Sequence, residues 1–241
     1  MEWGFLSKAH IVSIILAFVM IISLHFILRH RSTKTQIITL LCLSGFGIFN
    51  VVHGMFNAGD ILEGLPLHLC EINALIVPAA ILSRNKTVNN LLLLWSLGAL
   101  AAIVVNTSQA HYDIISIKFF KYYFSHVFEF GIPILMFSLK LVKKDASCIK
   151  STLGITLSTY TTVHMINMAI NTFGGDCSVN YMYSVEPENP VFDLFYAIIP
   201  SSYWYLYLTL PIILAYLIFI YWKQVGPAIK AKIHKKKAVA Q

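Results

Sequence analysis

The chain has 241 residues, 57% of them hydrophobic and 12% charged, and a formal net charge of +7. That balance excludes an ordinary soluble domain and points to a membrane protein. The positive charge is gathered into a few loops, as membrane insertion bias would place it, so no nucleic-acid partner is inferred.

The predicted elements are apolar runs close to the roughly 20 residues a bilayer requires. The first is Ile11–Leu28. Arg29, His30 and Arg31 follow it at once with no small-residue cleavage site, so it reads as a retained span rather than a signal peptide. Further spans are expected at Gln36–Phe56, Leu67–Ser83, Asn90–Asn106, Tyr122–Val142, Ser151–Phe173 and Tyr203–Trp222. The stretch Pro190–Ile199 is apolar but brief, which suits an interfacial or re-entrant segment. Loop charge then orients the chain. Arg29, Arg31, Lys34, Arg84, Lys86, Lys140, Lys143, Lys144, Lys150 and the closing lysines fall on one side if the spans alternate. Asp60, Glu63, Asp113, Asp176, Glu186, Glu188 and Asp193 fall on the other; Lys8, Lys118 and Lys121 are the exceptions. By the positive-inside rule the N-terminus is outside and the basic tail 223–241 is cytoplasmic. The fold expectation is all-α: one integral membrane domain over 1–241, a polytopic bundle of about seven transmembrane helices in the cell membrane.

Polar residues are scarce in these runs, and they gather at one depth. Leu65–Ala74 reads LPLHLCEINA and puts His68, Cys70, Glu71 and Asn73 at the outer end of the third span. Tyr122, His126, Glu129 and Pro133 share one face of the fifth. Tyr160, His164, Asn167 and Asn171 share one face of the sixth, and Asn50, His53 and Asn57 line up near the end of the second. Ionised groups near a bilayer centre cost roughly 2.5–3.5 kcal/mol on insertion scales, so such residues usually face the bundle and pair. One outward-facing polar pocket is therefore expected. Gly47 and Gly54 in the second span, with Gly98 and Ala102 in the fourth, would let helices approach there. The loop Gly174–Pro190, with Asn180 and Tyr181, is long enough to fold over the pocket.

Three chemistries suit these residue types. A thiol nucleophile needs a base in reach and a partner that orients the base. His68 and Cys70, two helical residues apart, would diverge by about 200°. His126 or His164, arriving from another helix, fits better, and Glu129 lies on the face of His126 to hold it. The competing view of Cys70 is a packed small hydrophobe. A zinc site is the second chemistry, with His53, His68, His126 and His164 as imidazoles and Glu71 or Glu129 as carboxylates. No HExxH or HxxxH pair is present, so no metal or other cofactor is assigned. The third is a binding or transport bundle, although no two-halved pattern of broken helices appears. The four cysteines form no CxxC pair; a Cys70–Cys177 disulfide on the outer side stays open.

LPLHLCEI at the third span, FSH at the start of the fifth, the polar face of the sixth and NYMY before the seventh resemble the YwaF family of bacterial integral membrane proteins. The likeness runs from Leu65 to Tyr207. That family in turn resembles a eukaryotic membrane family in which a cysteine is implicated in acyl transfer between phospholipids. The resemblance implies that Cys70 matches that cysteine and that His68 and His126 occupy family motif positions. The reading is a lipid acyltransferase or acyl hydrolase with membrane lipids as partners. Cys70 would be the nucleophile, His126 the base and Glu129 its orienter. His68, Glu71, Asn73, His164, Asn167, Asn171, Asn180 and Tyr181 would position substrate. A non-catalytic small-molecule-binding bundle and a zinc-dependent hydrolase are the alternatives.

Overall fold

The computed structural model describes residues 2–105 and 112–227. Asn106, where the fourth expected span ends, and the tail Lys230–Gln241 lie outside them. The described chain is helical apart from a two-residue strand pair, β1 (Glu2–Trp3) antiparallel to β2 (Tyr112–Asp113). The helices are α1 (Lys8–Leu28), α2 (Thr33–Asn57), α3 (Leu69–Ser83), α4 (Lys86–Val105), α5 (Ile117–Ser138), α6 (Ile149–Phe173), α7 (Pro190–Ile198) and α8 (Leu210–Ile220). Short 3-10 turns precede α6 and α8, and a third lies at Tyr181–Tyr183.

Helix starts follow local chemistry. Ser7, Ser32 and Ser116 each accept a backbone N–H three residues on, from His10 (3.1 Å), Thr35 (3.2 Å) and Phe119 (3.1 Å). Those bonds satisfy donors that a helix start leaves open. The short α7 opens with Asn189 as cap and Pro190 in its first turn, and it buries no residue. It is thus the brief apolar element expected at Pro190–Ile199. The seventh expected run is not one smooth helix: Trp204–Thr209 is 3-10, and α8 begins beside Pro211.

Among the described residues α1, α2 and α4 are long and apolar enough to cross a membrane by length and composition. Leu69–Ser83 and Trp204–Ile220 are apolar but shorter. At 22 and 25 residues, α5 and α6 have the length. Their composition dilutes the signal: Lys118, Lys121 and Glu129 lie in α5, and a series of Thr and Asn residues in α6.

The organising element is α5. It packs against α1, α2, α3 and α4, and it buries an unbroken run from Ser125 to Pro133. Two glycines set how near its neighbours come. A Cβ on Gly131 would meet Ile21 Cγ1 of α1 at 2.8 Å, and one on Gly47 would meet Ala74 Cβ at 2.9 Å, where α2 crosses α3. At Gly98 the nearest atom is Leu69 Cδ2 at 3.2 Å; Gly54 has nothing within 4 Å, so it makes none of the expected close approach. Interhelix hydrogen bonds add direction. Trp95 donates to Thr156 Oγ1 (2.9 Å), Ser125 to the Phe46 carbonyl (3.2 Å) and Tyr123 to the Ser13 carbonyl (2.7 Å).

Candidate active site

Cys70 lies in the first turn of α3, two residues after the N-cap His68. It is half-buried. That turn carries N–H groups with no carbonyl four residues back, a natural receptor for negative charge. From α5, His126 and Glu129 point to the same place. A ring nitrogen of His126, a carboxylate oxygen of Glu129 and Cys70 Sγ all lie within 4.8 Å of one another.

The imidazole is fixed from behind. His126 Nδ1 is 2.7 Å from the Tyr122 carbonyl oxygen. A carbonyl can only accept, so Nδ1 carries the proton and the neutral ring keeps its lone pair on Nε2. The orienting bond expected from Glu129 is thus made by the backbone of Tyr122. The Tyr122 ring also covers the imidazole at 4.3 Å, and buried Trp3 packs on that ring at 5.6 Å. Sequence reasoning missed this support. Its signal is the i, i+4 spacing of Tyr122 and His126, which joins a side chain to a main-chain carbonyl as well as side chain to side chain.

Glu129 is 4% exposed, and its Oε2 has no hydrogen-bond partner among the described residues. Beside it is a cavity of about 10 Å³, lined among others by Ser44, Gly47, Ala74 and Ser125. That is room for roughly one water. Asn73, one turn deeper than Cys70 in α3, is buried with its Oδ1 likewise unpartnered.

The remaining predicted site residues make contacts with the loop and with one another. Glu71 accepts the backbone N–H of His68 (3.0 Å) rather than holding its ring. The His68 ring accepts the Met182 N–H (3.3 Å) and packs on Tyr181 and Tyr183. His164 hydrogen-bonds Ser184 (3.1 Å) and stacks on Tyr203. Asn167 donates to the Tyr181 carbonyl (2.8 Å) and to Ser184 Oγ (2.9 Å), and accepts the Tyr181 N–H (3.1 Å). Asn171 makes a reciprocal pair with the Val179 backbone (2.9 and 2.7 Å). Asn180 closes the loop on itself through Glu186 and Glu188. Tyr181 donates to the Leu62 carbonyl. Burial holds the Tyr181 hydroxyl up at about 12, so it stays a donor. These residues latch the loop after α6 over α3. The grip carries Met182 and Tyr183 in the left-handed region, at φ 55° and 54°, where non-glycine residues are strained.

Of the imidazoles weighed for zinc, only His126 joins the cluster with a carboxylate; His53 is engaged by Lys121 Nζ at 2.7 Å. All four cysteines are free thiols, so no Cys70–Cys177 disulfide forms. Burial and the nearby acids Asp60 and Glu63 push the Cys177 thiol up, which makes it a poor thiolate.

The sequence profile of the TMEM164 family matches residues 5–221. The chain belongs to the TMEM164 family. Where the motifs had suggested YwaF, the match is to this membrane-protein family, and it contains both the Cys70 cluster and the latched loop. No curated protein and no solved structure matches the chain.

Proposed function

We propose that this TMEM164-family protein is a multi-pass protein of the cell membrane, with its N-terminus outside and seven spans, that transfers acyl groups through Cys70. The observation that carries the reading is the cluster of Cys70 Sγ, His126 and Glu129 within 4.8 Å, joined to an imidazole whose Nδ1 is tied to the Tyr122 carbonyl. A nucleophile, a base with its lone pair free and a fixed orienter are what thiol catalysis requires. The motif resemblance to YwaF, and through it to cysteine-dependent phospholipid acyl transfer, supports the same reading.

The proposed steps balance as follows. His126 Nε2 takes the Cys70 thiol proton, and the sulfur attacks the ester carbonyl carbon of a membrane lipid. The C–S bond forms, the ester C–O bond breaks, and the departing alkoxide takes the proton from His126. A thioester remains on Cys70. The hydroxyl of a second lipid, or water, then gives its proton to His126 and attacks the thioester. A C–O bond forms, the C–S bond breaks, and the thiol recovers the proton. Backbone N–H groups at the start of α3 would receive charge as it develops.

Lipid turnover by the purified protein in lipid discs, wild type against Cys70→Ala, tests the reading. Loss of turnover in the variant is expected. Undiminished turnover would overturn it and leave a non-catalytic binding bundle as the better account.

A further inference from the structure

We propose that Cys70, His126 and Glu129 also form a binding site for one soft divalent cation of the zinc type, which bridges α3 and α5 and silences the thiol. The binding half stands alone; the silencing half rests on the proposed acyl transfer.

The donor set is the first argument. A thiolate sulfur, an imidazole nitrogen and a carboxylate oxygen are groups zinc accepts together. Around a tetrahedral ion at about 2.0–2.3 Å from each donor, donors stand about 3.3–3.8 Å apart. The three atoms lie within 4.8 Å of one another, so small side-chain rotations bring them to that spacing. They come from two helices that are already packed together.

The second argument is independent of the grouping. Glu129 Oε2 is buried with no hydrogen-bond partner among the described residues. A buried acceptor left unsatisfied costs about 1–3 kcal/mol, more when charged, and a coordinated cation removes that cost. Tethering of Nδ1 by Tyr122 leaves Nε2 as the free donor, the form in which imidazole binds metal. Three protein ligands leave one position open to water or substrate. On binding, the Cys70 thiol releases its proton to solvent and its sulfur lone pair is committed to the ion. The thiol then cannot attack an ester.

The full chain in lipid discs, stripped with chelator, should bind one equivalent of Co²⁺ per chain and show near-ultraviolet sulfur-to-cobalt charge transfer. Zn²⁺ should displace the cobalt and Mg²⁺ should not. Cys70→Ser should abolish the charge-transfer band, and His126→Asn and Glu129→Gln should each weaken binding at least tenfold. Cys177→Ala should bind as wild type, and a melting curve for each variant reports its folding. No stoichiometric uptake by the wild type, or a band that persists in folded Cys70→Ser, would overturn the site. Lipid turnover measured with chelator present tests the acyl reading separately. If wild-type turnover survives saturating Zn²⁺, the silencing half is wrong.

Discussion

At the scale of single residues, the proposed reactivity depends on where His126 keeps its proton. Nδ1 is committed to the Tyr122 carbonyl, so Nε2 is the nitrogen left to accept a proton. His126→Gln should lower turnover by about 10²–10⁴-fold, the usual share of a general base, with lipid binding little changed. Steady-state kinetics that show a raised KM at unaltered kcat would contradict that role. That Cys70, His126 and Glu129 converge was legible because helical spacing fixes the face each presents. Tyr122 was not, since its part is played by a main-chain carbonyl that sequence patterns leave invisible. The face of His164 was readable, but its partner Ser184 comes from a loop whose path no periodicity encodes.

Between elements, two contacts govern the site. The loop after α6 hangs on Asn167 and Asn171, which hydrogen-bond its backbone. Asn167→Ala strands the Tyr181 backbone groups and should cost about 1–3 kcal/mol. Limited proteolysis should then cut between Gly174 and Asn189 sooner than α6 unfolds; unchanged protection would show that the latch lies elsewhere. The α2–α3 crossing has no room at Gly47, where an added Cβ would stand 2.9 Å from Ala74 Cβ. Gly47→Val should destabilise by about 1–3 kcal/mol, as overpacking does, and be read as a lower melting midpoint. On the side opposite the loop, Asp145 pairs with Lys86 at the start of α4. The Lys86 ammonium, with help from Ser147, holds the Asp145 carboxyl down at about 2. A depressed folded-state value gives stability that is present above the unfolded value and lost as pH falls through the folded one. Asp145→Asn should therefore lower the melting midpoint slightly at pH 7, and the gap should close between about pH 4 and 2. A gap that widens over that window would contradict the pairing.

For the whole molecule, the helical class and the rough place of most runs were readable because apolar length is a coarse signal that survives local irregularity, but the run expected at Tyr122–Val142 is the helix Ile117–Ser138, whose start is set by the Ser116 cap. The α5 and α6 runs were found from their apolar stretches, even though their full helices are too polar to stand as apolar spans. Packing was not readable: nothing in the hydropathy of α5 says that four helices surround it. The proposed orientation makes a direct prediction. On a background without the native thiols, a cysteine at Glu186 should react with an impermeant maleimide in intact cells, and one at Lys144 only after permeabilisation; the reverse would invert the topology. The most direct trial of the account is mass spectrometry of the protein after incubation with an acyl-donor phospholipid. It predicts a hydroxylamine-labile acyl mass on the Cys70 peptide, absent in Cys70→Ala and strongly reduced in His126→Gln. Turnover of the donor by wild-type protein with no acyl adduct on Cys70 at any time point, or with the adduct on another residue, would contradict it.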